Sequence, residues 1–314
     1  MVEQRDQPVV VVVGSLNIDL IAYTSRVPGA GETVIGDRFQ MGFGGKGANQ
    51  AVMAARLGAR VAMVGALGDD VYAGMTLDNL ARQEVDATHV ARVPGSSGVA
   101  PIWVEPDGTN RIIVVPGANE AVDPEGAAAA IRSMDRLDVV IGQLEIPQRV
   151  TLAAFRAAQE RGTVTILNPA PAASLDPELV QASNWLIPNE TEFAILAGLA
   201  RLDADDDGQI AAFARRLGPR LLLTLGSRGA AIVSADGHVE RVPATPVKAI
   251  DTTGAGDAFV GAFAVGLAAG LGERAAVRLG IACASDSVTR PGTQSSFASR
   301  AAAATMLGEI RAGA

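Results

Sequence analysis

Asp251-Thr252-Thr253-Gly254-Ala255-Gly256-Asp257 runs directly into an apolar, Gly- and Ala-rich stretch from Ala258 to Leu271. Two glycines in a tight turn that opens a helix let several backbone N–H groups point at one spot, where the positive end of the helix also lies. Such a spot holds an anion. Asp257 stands at its lip, a carboxylate beside the charge it would otherwise repel. That placement makes sense if Asp257 takes a proton from a nucleophile attacking a phosphate, so the chemistry read here is phosphoryl transfer. A plain capping turn with Asp257 in the first helical turn is the competing reading.

A second Gly-rich helix start, Gly42-Phe43-Gly44-Gly45-Lys46-Gly47-Ala48-Asn49-Gln50, opens a helix reaching about Leu57. Gly42-x-Gly44-x-x-Gly47 matches the dinucleotide fingerprint in form, but the chain before it is a β excursion rather than the first buried strand, so the β-α-β frame is missing. It is not a Walker A loop, because Gly47 occupies the Ser/Thr position. Glycines that let backbone approach a small polar ligand, with Lys46 and Asn49 donating to its hydroxyls, are the better use. Further polar groups end apolar strands: Asn17 and Asp19 after Val9 to Gly14, Glu145 after Asp138 to Leu144, and Asn168 after Val164. Ligands of open α/β sheets bind at such ends, although taken alone Asn17 and Asp19 read more simply as an Asx turn after the strand. Asn189 and Glu192 are spaced for a capping box, and a role near metal-bound phosphates stands beside that reading.

The elements that must position these groups alternate strand and helix along most of the chain, which predicts an α/β three-layer sandwich on a mainly parallel sheet. Two stretches break the rhythm. Residues 20–42 carry Pro28, Gly29, Gly31 and Gly36 around β-type segments such as Glu32 to Ile35, and Gly98 to Val115 reads as a hairpin turning at Glu105 to Gly108. Together they predict a small β sheet that covers the site as a lid. Its apolar outer face predicts a homodimer through the lid. With no repeat, linker or charge block, residues 1–314 read as one domain plus that lid.

The composition closes several other routes. A net charge of −8 argues against a nucleic-acid surface. The one cysteine, Cys283, excludes an internal disulfide, and only two histidines, His89 and His238, exclude the usual zinc and Ser-His-Asp arrangements. The N-terminal stretch lacks an apolar signal-like core, and the longest apolar run, Ala258 to Leu271, falls short of the about 18 residues a membrane span requires. A cytoplasmic protein with no membrane partner is expected.

Taken in order, Asn17-x-Asp19, Gly44 to Gln50, Asn168-Pro169-Ala170-Pro171-Ala172, Pro188 to Glu192, Thr224-Leu225-Gly226-Ser227-Arg228-Gly229 and Asp251 to Asp257 resemble the ribokinase family of ATP-dependent sugar and nucleoside kinases. The likeness runs nearly end to end. Through Gly44 to Gln50, Asn168 to Ala172 and Thr289 to Ser296 it points to the ribose-phosphorylating branch. The resemblance implies ATP-dependent phosphorylation of the 5-hydroxyl of D-ribose, with Asp257 as base and the Gly254, Ala255 and Gly256 amides as anion hole. It assigns the pentose to Asn17, Asp19, Gly45, Lys46, Gly47, Ala48, Asn49, Glu145 and Asp257. Nucleotide falls to Asn189, Thr224, Leu225, Gly226, Ser227, Arg228, Gly229, Gly256 and Asp257. It further implies Mg²⁺ on the ATP phosphates near Glu192, and a monovalent cation, K⁺, held by Asp251, Thr253, Ser287, Arg290, Gly292 and Ser296.

Overall fold

The five valines Val9–Val13 form strand β1, and all five are buried. A strand covered on both faces needs helices above and below it, and the side chains divide accordingly. Val10 and Val12 enter one apolar core, Val11 and Val13 the other. The computed structural model describes residues 7–234 and 236–313, so the polar N-terminal stretch before Gln7 lies outside the described residues.

The chain leaves β1 through only three residues and becomes β2 (Asn17–Tyr23), then β3 (Arg38–Gly44), before the first helix α1 (Lys46–Arg56). The alternation then begins: β4 (Arg60–Leu67), α2 (Val71–Arg82) and β5 (Val85–Arg92), interrupted by β6 (Gly98–Val104) and β7 (Asn110–Ile112). A short 3-10 turn over Gly117–Ala121 leads to α3 (Pro124–Ser133), started by the Asp123 cap and Pro124 at its first position. There follow β8 (Val139–Gly142), α4 (Gln148–Gln159), β9 (Val164–Leu167), α5 (Pro177–Gln181), β10 (Trp185–Leu186) and α6 (Glu190–Ala197). The chain closes with α7 (Asp207–Leu217), β11 (Arg220–Thr224), β12 (Ala230–Val233), β13 (Val239–Val242), α8 (Ala255–Ala268), α9 (Glu273–Ser287) and α10 (Arg300–Ala312).

Nine strands form the central sheet in the order β13-β12-β11-β10-β9-β8-β1-β4-β5. Its pairs are parallel except β11 with β12 and β12 with β13. Helices α1, α8, α9 and α10 cover one face, and α3, α4, α6 and α7 the other, so the mainly parallel three-layer sandwich expected from the sequence is the fold. Helix α8 is buried from Asp257 to Gly266, which its all-round apolar sequence requires. Two glycines bring its neighbours close. A Cβ at Gly261 would stand 2.6 Å from the Gln50 carbonyl oxygen of α1, and one at Gly266 would stand 2.7 Å from Ala276 of α9. Cys283 is buried on α9, and burial pushes its thiol up to about 12.

The second sheet has four strands in the order β3-β2-β6-β7. β2 runs antiparallel to β3 from Asn17↔Gly44 to Tyr23↔Arg38, and parallel to β6 from Asn17↔Gly98 to Tyr23↔Val104. Two sequence expectations change here. Asn17 and Asp19 do not end the first core strand; they belong to β2 of the second sheet, because Gly14 to Leu16 carry the chain from one sheet straight into the other. The segment Glu32 to Ile35 is not a strand. The Glu32 carboxylate instead accepts from Arg26 and from the Gly29 N–H, closing a loop that competes with any ladder.

Candidate active site

Helix α8 is capped at its N-terminus by Gly254, whose left-handed φ of 76° a side chain would strain, and where a Cβ would stand 2.7 Å from Thr293. The Ala255 N–H turns back to the Thr252 carbonyl at 3.2 Å. The Gly256 and Asp257 N–H groups have no acceptor among the described residues, and beside Gly256 lies open space. These amides, Lys46, Asn168, Asn189, Glu192 and Thr224 line a cleft of about 210 Å³ with the Asp257 carboxylate. An anion entering there meets the positive end of α8.

Asp257 itself is only 6% exposed. Burying a carboxylate favours its neutral form, and burial is the main cause pushing Asp257 above the ordinary range. Three groups oppose that push. Lys46 lies close enough to favour the charge, Asn49 Nδ2 donates to Oδ2 at 2.9 Å, and Gln50 Nε2 donates to Oδ1 at 3.0 Å. The amides are themselves locked. Asn168 Nδ2 donates to the Ile187 carbonyl, so Asn168 Oδ1 must face Gln50 Nε2, at 3.1 Å. Gln143 Nε2 donates to Gln50 Oε1 at 2.7 Å, and Gln294 Nε2 donates to Asn49 Oδ1 at 3.0 Å. Sequence reasoning missed Gln143 and Gln294, and listed Gln50 without a role. The one signal available was for Gln143, an amide directly after the apolar strand β8, whose burial obliges it to find partners; Gln294 lies in a loop and gave none.

The first turn of α1 is held in the same way. Glu145 Oε2 accepts from the Lys46 N–H at 3.0 Å and from Ser15 Oγ at 2.5 Å, so a carboxylate supplies the cap that Gly45 cannot. Gly47 is pressed against the β1 exit, with a Cβ only 2.6 Å from the Ser15 nitrogen. Burial would lower the Lys46 ammonium, but the Asp257, Glu145 and Glu192 carboxylates outweigh it and raise its pKa.

Asp19 faces the same region from the second sheet. It lines a second cleft of about 210 Å³ with Ile21, Gln40, Arg56, Asn79 and the Gly292 to Ser295 loop. A Cβ at Gly44 would stand 2.3 Å from Asp19 Oδ1, so the bare glycine makes room for the carboxylate. Burial, and next the Glu145 and Asp257 charges, push Asp19 up from 3.8 to about 7.

The remaining sequence-selected residues are placed as follows. Asn189 caps α6 and Glu192 completes a reciprocal capping box, while burial raises the Glu192 carboxyl. Thr224 ends β11 and bridges Asn189. Leu225 to Gly229 form a tight turn in which the Leu225 N–H meets the Gly229 carbonyl at 2.8 Å, and Arg228 pairs with Glu190. Asp251 accepts from the Thr253 and Gly292 N–H groups, so the two loops flanking the α8 start do meet. The Arg290 guanidinium binds the Ser296 carbonyl and Asp286; Ser287 Oγ donates to Ala284 O. A cavity of about 460 Å³ lies apart between α5, α6 and α7, walled by Leu175, Val180, Ile195 and Phe213 with no carboxylate in its lining. No helix among the described residues is long and apolar enough to cross a membrane.

The sequence matches the description pfkB family carbohydrate kinase over residues 7–300. A ribokinase of Mus musculus is 40% identical over 302 residues, covering 94% of this chain and 93% of the relative. A deoxyribokinase of Salmonella typhi is 39% identical over 296 residues, covering 92% of this chain and 95% of the relative. The solved structure of Arabidopsis thaliana ribokinase complexed with ribose and ATP superposes with a TM-score of 0.87 at 32% identity, covering 96% of this chain and 99% of that one.

The Asp19 environment makes a prediction about stability. Its folded-state pKa lies above the unfolded value, so its contribution is fully present below about pH 4 and is lost as pH rises through about 7. Asp19→Asn removes that loss. The ligand-free variant should melt a few degrees above the parent at pH 8, with the gap shrinking steadily as pH falls toward 4. A melting difference independent of pH would show that Asp19 is not held in the strained, charge-crowded state described.

Proposed function

The chain belongs to the pfkB family of carbohydrate kinases, and on that premise we propose that it transfers the γ-phosphoryl group of ATP to the 5-hydroxyl of D-ribose. The observation that carries this reading is the Asp257 carboxylate, held by two amide donors at the lip of the α8 amides, with Asp19 of the second cleft near enough to feel its charge. A primary hydroxyl presented from the lid side meets Asp257, which takes its proton as the oxygen attacks phosphorus. Charge on the transferring group faces the free α8 amides and the Lys46 ammonium. Asn17, Asp19, Gly45 to Asn49 and Glu145 are proposed to hold the sugar, and Asn189, Thr224 and Leu225 to Gly229 the nucleotide.

Mg²⁺ bound with ATP would neutralise the β- and γ-phosphate charge. Among the described residues no group of three or more acidic, His or Cys side chains could cage a metal, so the ion is proposed to arrive on the nucleotide, with Glu192 lining the same cleft. For a monovalent cation the fit rests on the meeting of the Asp251 and Gly292 loops. Burial pushes the Asp251 carboxyl up, but hydrogen bonds from Gly292 and Thr253 outweigh this and keep it low, hence charged, beside the carbonyl-rich end of α9. Such oxygens suit a large ion such as K⁺, for which Asp251, Thr253, Ser287, Arg290, Gly292 and Ser296 form the candidate surround. Use of ATP and a lone buried thiol fit a cytoplasmic setting.

The test is ADP release with Mg-ATP and a panel of ribose, 2-deoxyribose, other furanoses and nucleosides, with K⁺ added at constant ionic strength. Ribose should give the highest kcat/KM, K⁺ should raise kcat, and Asp257→Asn should lower kcat by roughly 10² to 10⁴ while leaving sugar affinity largely intact. Turnover of the variant above a tenth of the parent would remove Asp257 from the role of base. Because a 39% identical relative is a deoxyribokinase, a preference for 2-deoxyribose would change the substrate and keep the chemistry.

The lid bears on assembly. Strand alternation puts Asp19 and Ile21 on the cleft face, and Leu20, Ala22, Phe39, Met41 and Trp103 on the other. Phe39 is 66% exposed, with Ile112 to Val115 also exposed. A second copy of the lid is the proposed cover for this face. Light scattering should give about double the 32.1 kDa chain mass, and a monomer mass at micromolar concentration would contradict it.

A further inference from the structure

Asn119 belongs to none of the motifs above. It sits in the 3-10 turn that returns the chain from the lid to the central sheet, and it is 1% exposed. Its orientation follows from the backbone alone. The Leu16 N–H can only donate, and it meets Asn119 Oδ1 at 2.9 Å. Asn119 Nδ2 therefore faces the other way, to the Leu16 carbonyl at 3.3 Å and to Asn17 Oδ1 at 2.7 Å. An amide nitrogen has only hydrogens to give, so the Asn17 atom it meets must be oxygen. Asn17 Nδ2 is left with no partner among the described residues, on the strand face it shares with Asp19.

The neighbouring strand leaves space for this pair alone. Gly98 stands opposite Asn17, and a Cβ there would lie 2.1 Å from Asn17 Oδ1 and 2.3 Å from Asn119 Nδ2. Asn119 also ties the two roots of the lid, since Leu16 is where the chain enters it and the Gly117–Ala121 turn is where it leaves.

We propose that Asn119 is a positioning residue that fixes the Asn17 amide with its nitrogen toward the sugar cleft, so that Asn17 donates to one substrate hydroxyl oxygen while Asp19 accepts. The proposal rests on the sugar-kinase reading. Without the Asn119 donor, the Asn17 amide can turn over and present an oxygen, duplicating the acceptor Asp19 already supplies and leaving the hydroxyl oxygen without a hydrogen.

Asn119→Asp is the informative variant, because one carboxylate oxygen still accepts from the Leu16 N–H while the other now repels Asn17 Oδ1. The KM for ribose should rise about 3- to 10-fold, the scale of one lost hydrogen bond, with the KM for ATP unchanged. The penalty should fall below about twofold for whichever of 2-deoxyribose or 3-deoxyribose lacks the hydroxyl that Asn17 contacts, since that contact is already gone. An unchanged ribose KM, or an equal penalty for ribose and both deoxy sugars, would overturn the proposal and leave Asn119 a structural residue. A parent enzyme that phosphorylates none of these sugars would instead sink the functional reading. An arm independent of substrate covers that case: side-chain amide exchange by NMR in the ligand-free protein should show the Asn119 protons protected and the Asn17 protons exposed, and the reverse order overturns the proposal whatever the sugar.

Discussion

Burial drives a carboxylate toward its neutral form unless donors and cations meet its charge, and Asp257 is met by two amide donors and a nearby ammonium. That requirement organises the body of the molecule. Hydrogen bonds to a charged group contribute about 1.5–3 kcal/mol each, so two amides and a nearby ammonium can offset much of the desolvation cost. They do so only if α1 and α8 are held at a fixed and short separation. Gly261 provides it, because any side chain there would meet the Gln50 backbone. The Glu145 cap on α1 and the Asn168 bond to the Ile187 carbonyl then fix the donors from the sheet side.

The same packing crowds charges. Asp19, Glu145 and Asp257 act on one another, with Lys46 as the nearest cation, and the lid carboxylate bears the cost. A polar ligand carrying hydroxyl groups relieves that crowding by donating to the carboxylates, whereas an anionic group suits only the α8 amides and Lys46. On the proposed reading, hydroxyl groups go to the carboxylates and phosphate goes to the α8 amides, with Asp257 between the two chemistries. The three-residue passage from β1 to β2 makes the separation possible, placing lid and body groups at one point of the chain.

Much of this was legible in the sequence because it is local. Continuous valines, Gly-rich helix starts and strand-helix alternation specify elements through short-range sterics and burial, and the α/β sandwich followed. Asn17 and Asp19 were set on the wrong sheet because Gly14 and Ser15 read as the end of a strand, and nothing local distinguishes a strand's end from its passage into another sheet. Glu32 to Ile35 looked like a strand because β propensity depends on what pairs with it, and there the Glu32 side chain closes a loop instead. The amides around Asp257 were hidden for another reason. Gln50 and Asp257 lie 207 residues apart, and Gln294 and Asn49 245, so their meaning exists only after the sheet has assembled.

The central claim is that donated hydrogen bonds oppose the rise burial imposes on the Asp257 pKa and so favour the ionised form that the proposed base needs. The pH profile of kcat/KM for Gln50→Leu beside the parent tests it most directly. Losing a donor removes stabilisation of the charged form, so the Asp257 pKa rises and the acid limb moves to higher pH. The account predicts a loss of about tenfold on the acid side, converging with the parent on the alkaline side. An acid limb that stays in place, with activity lowered equally at every pH or not lowered at all, would contradict it.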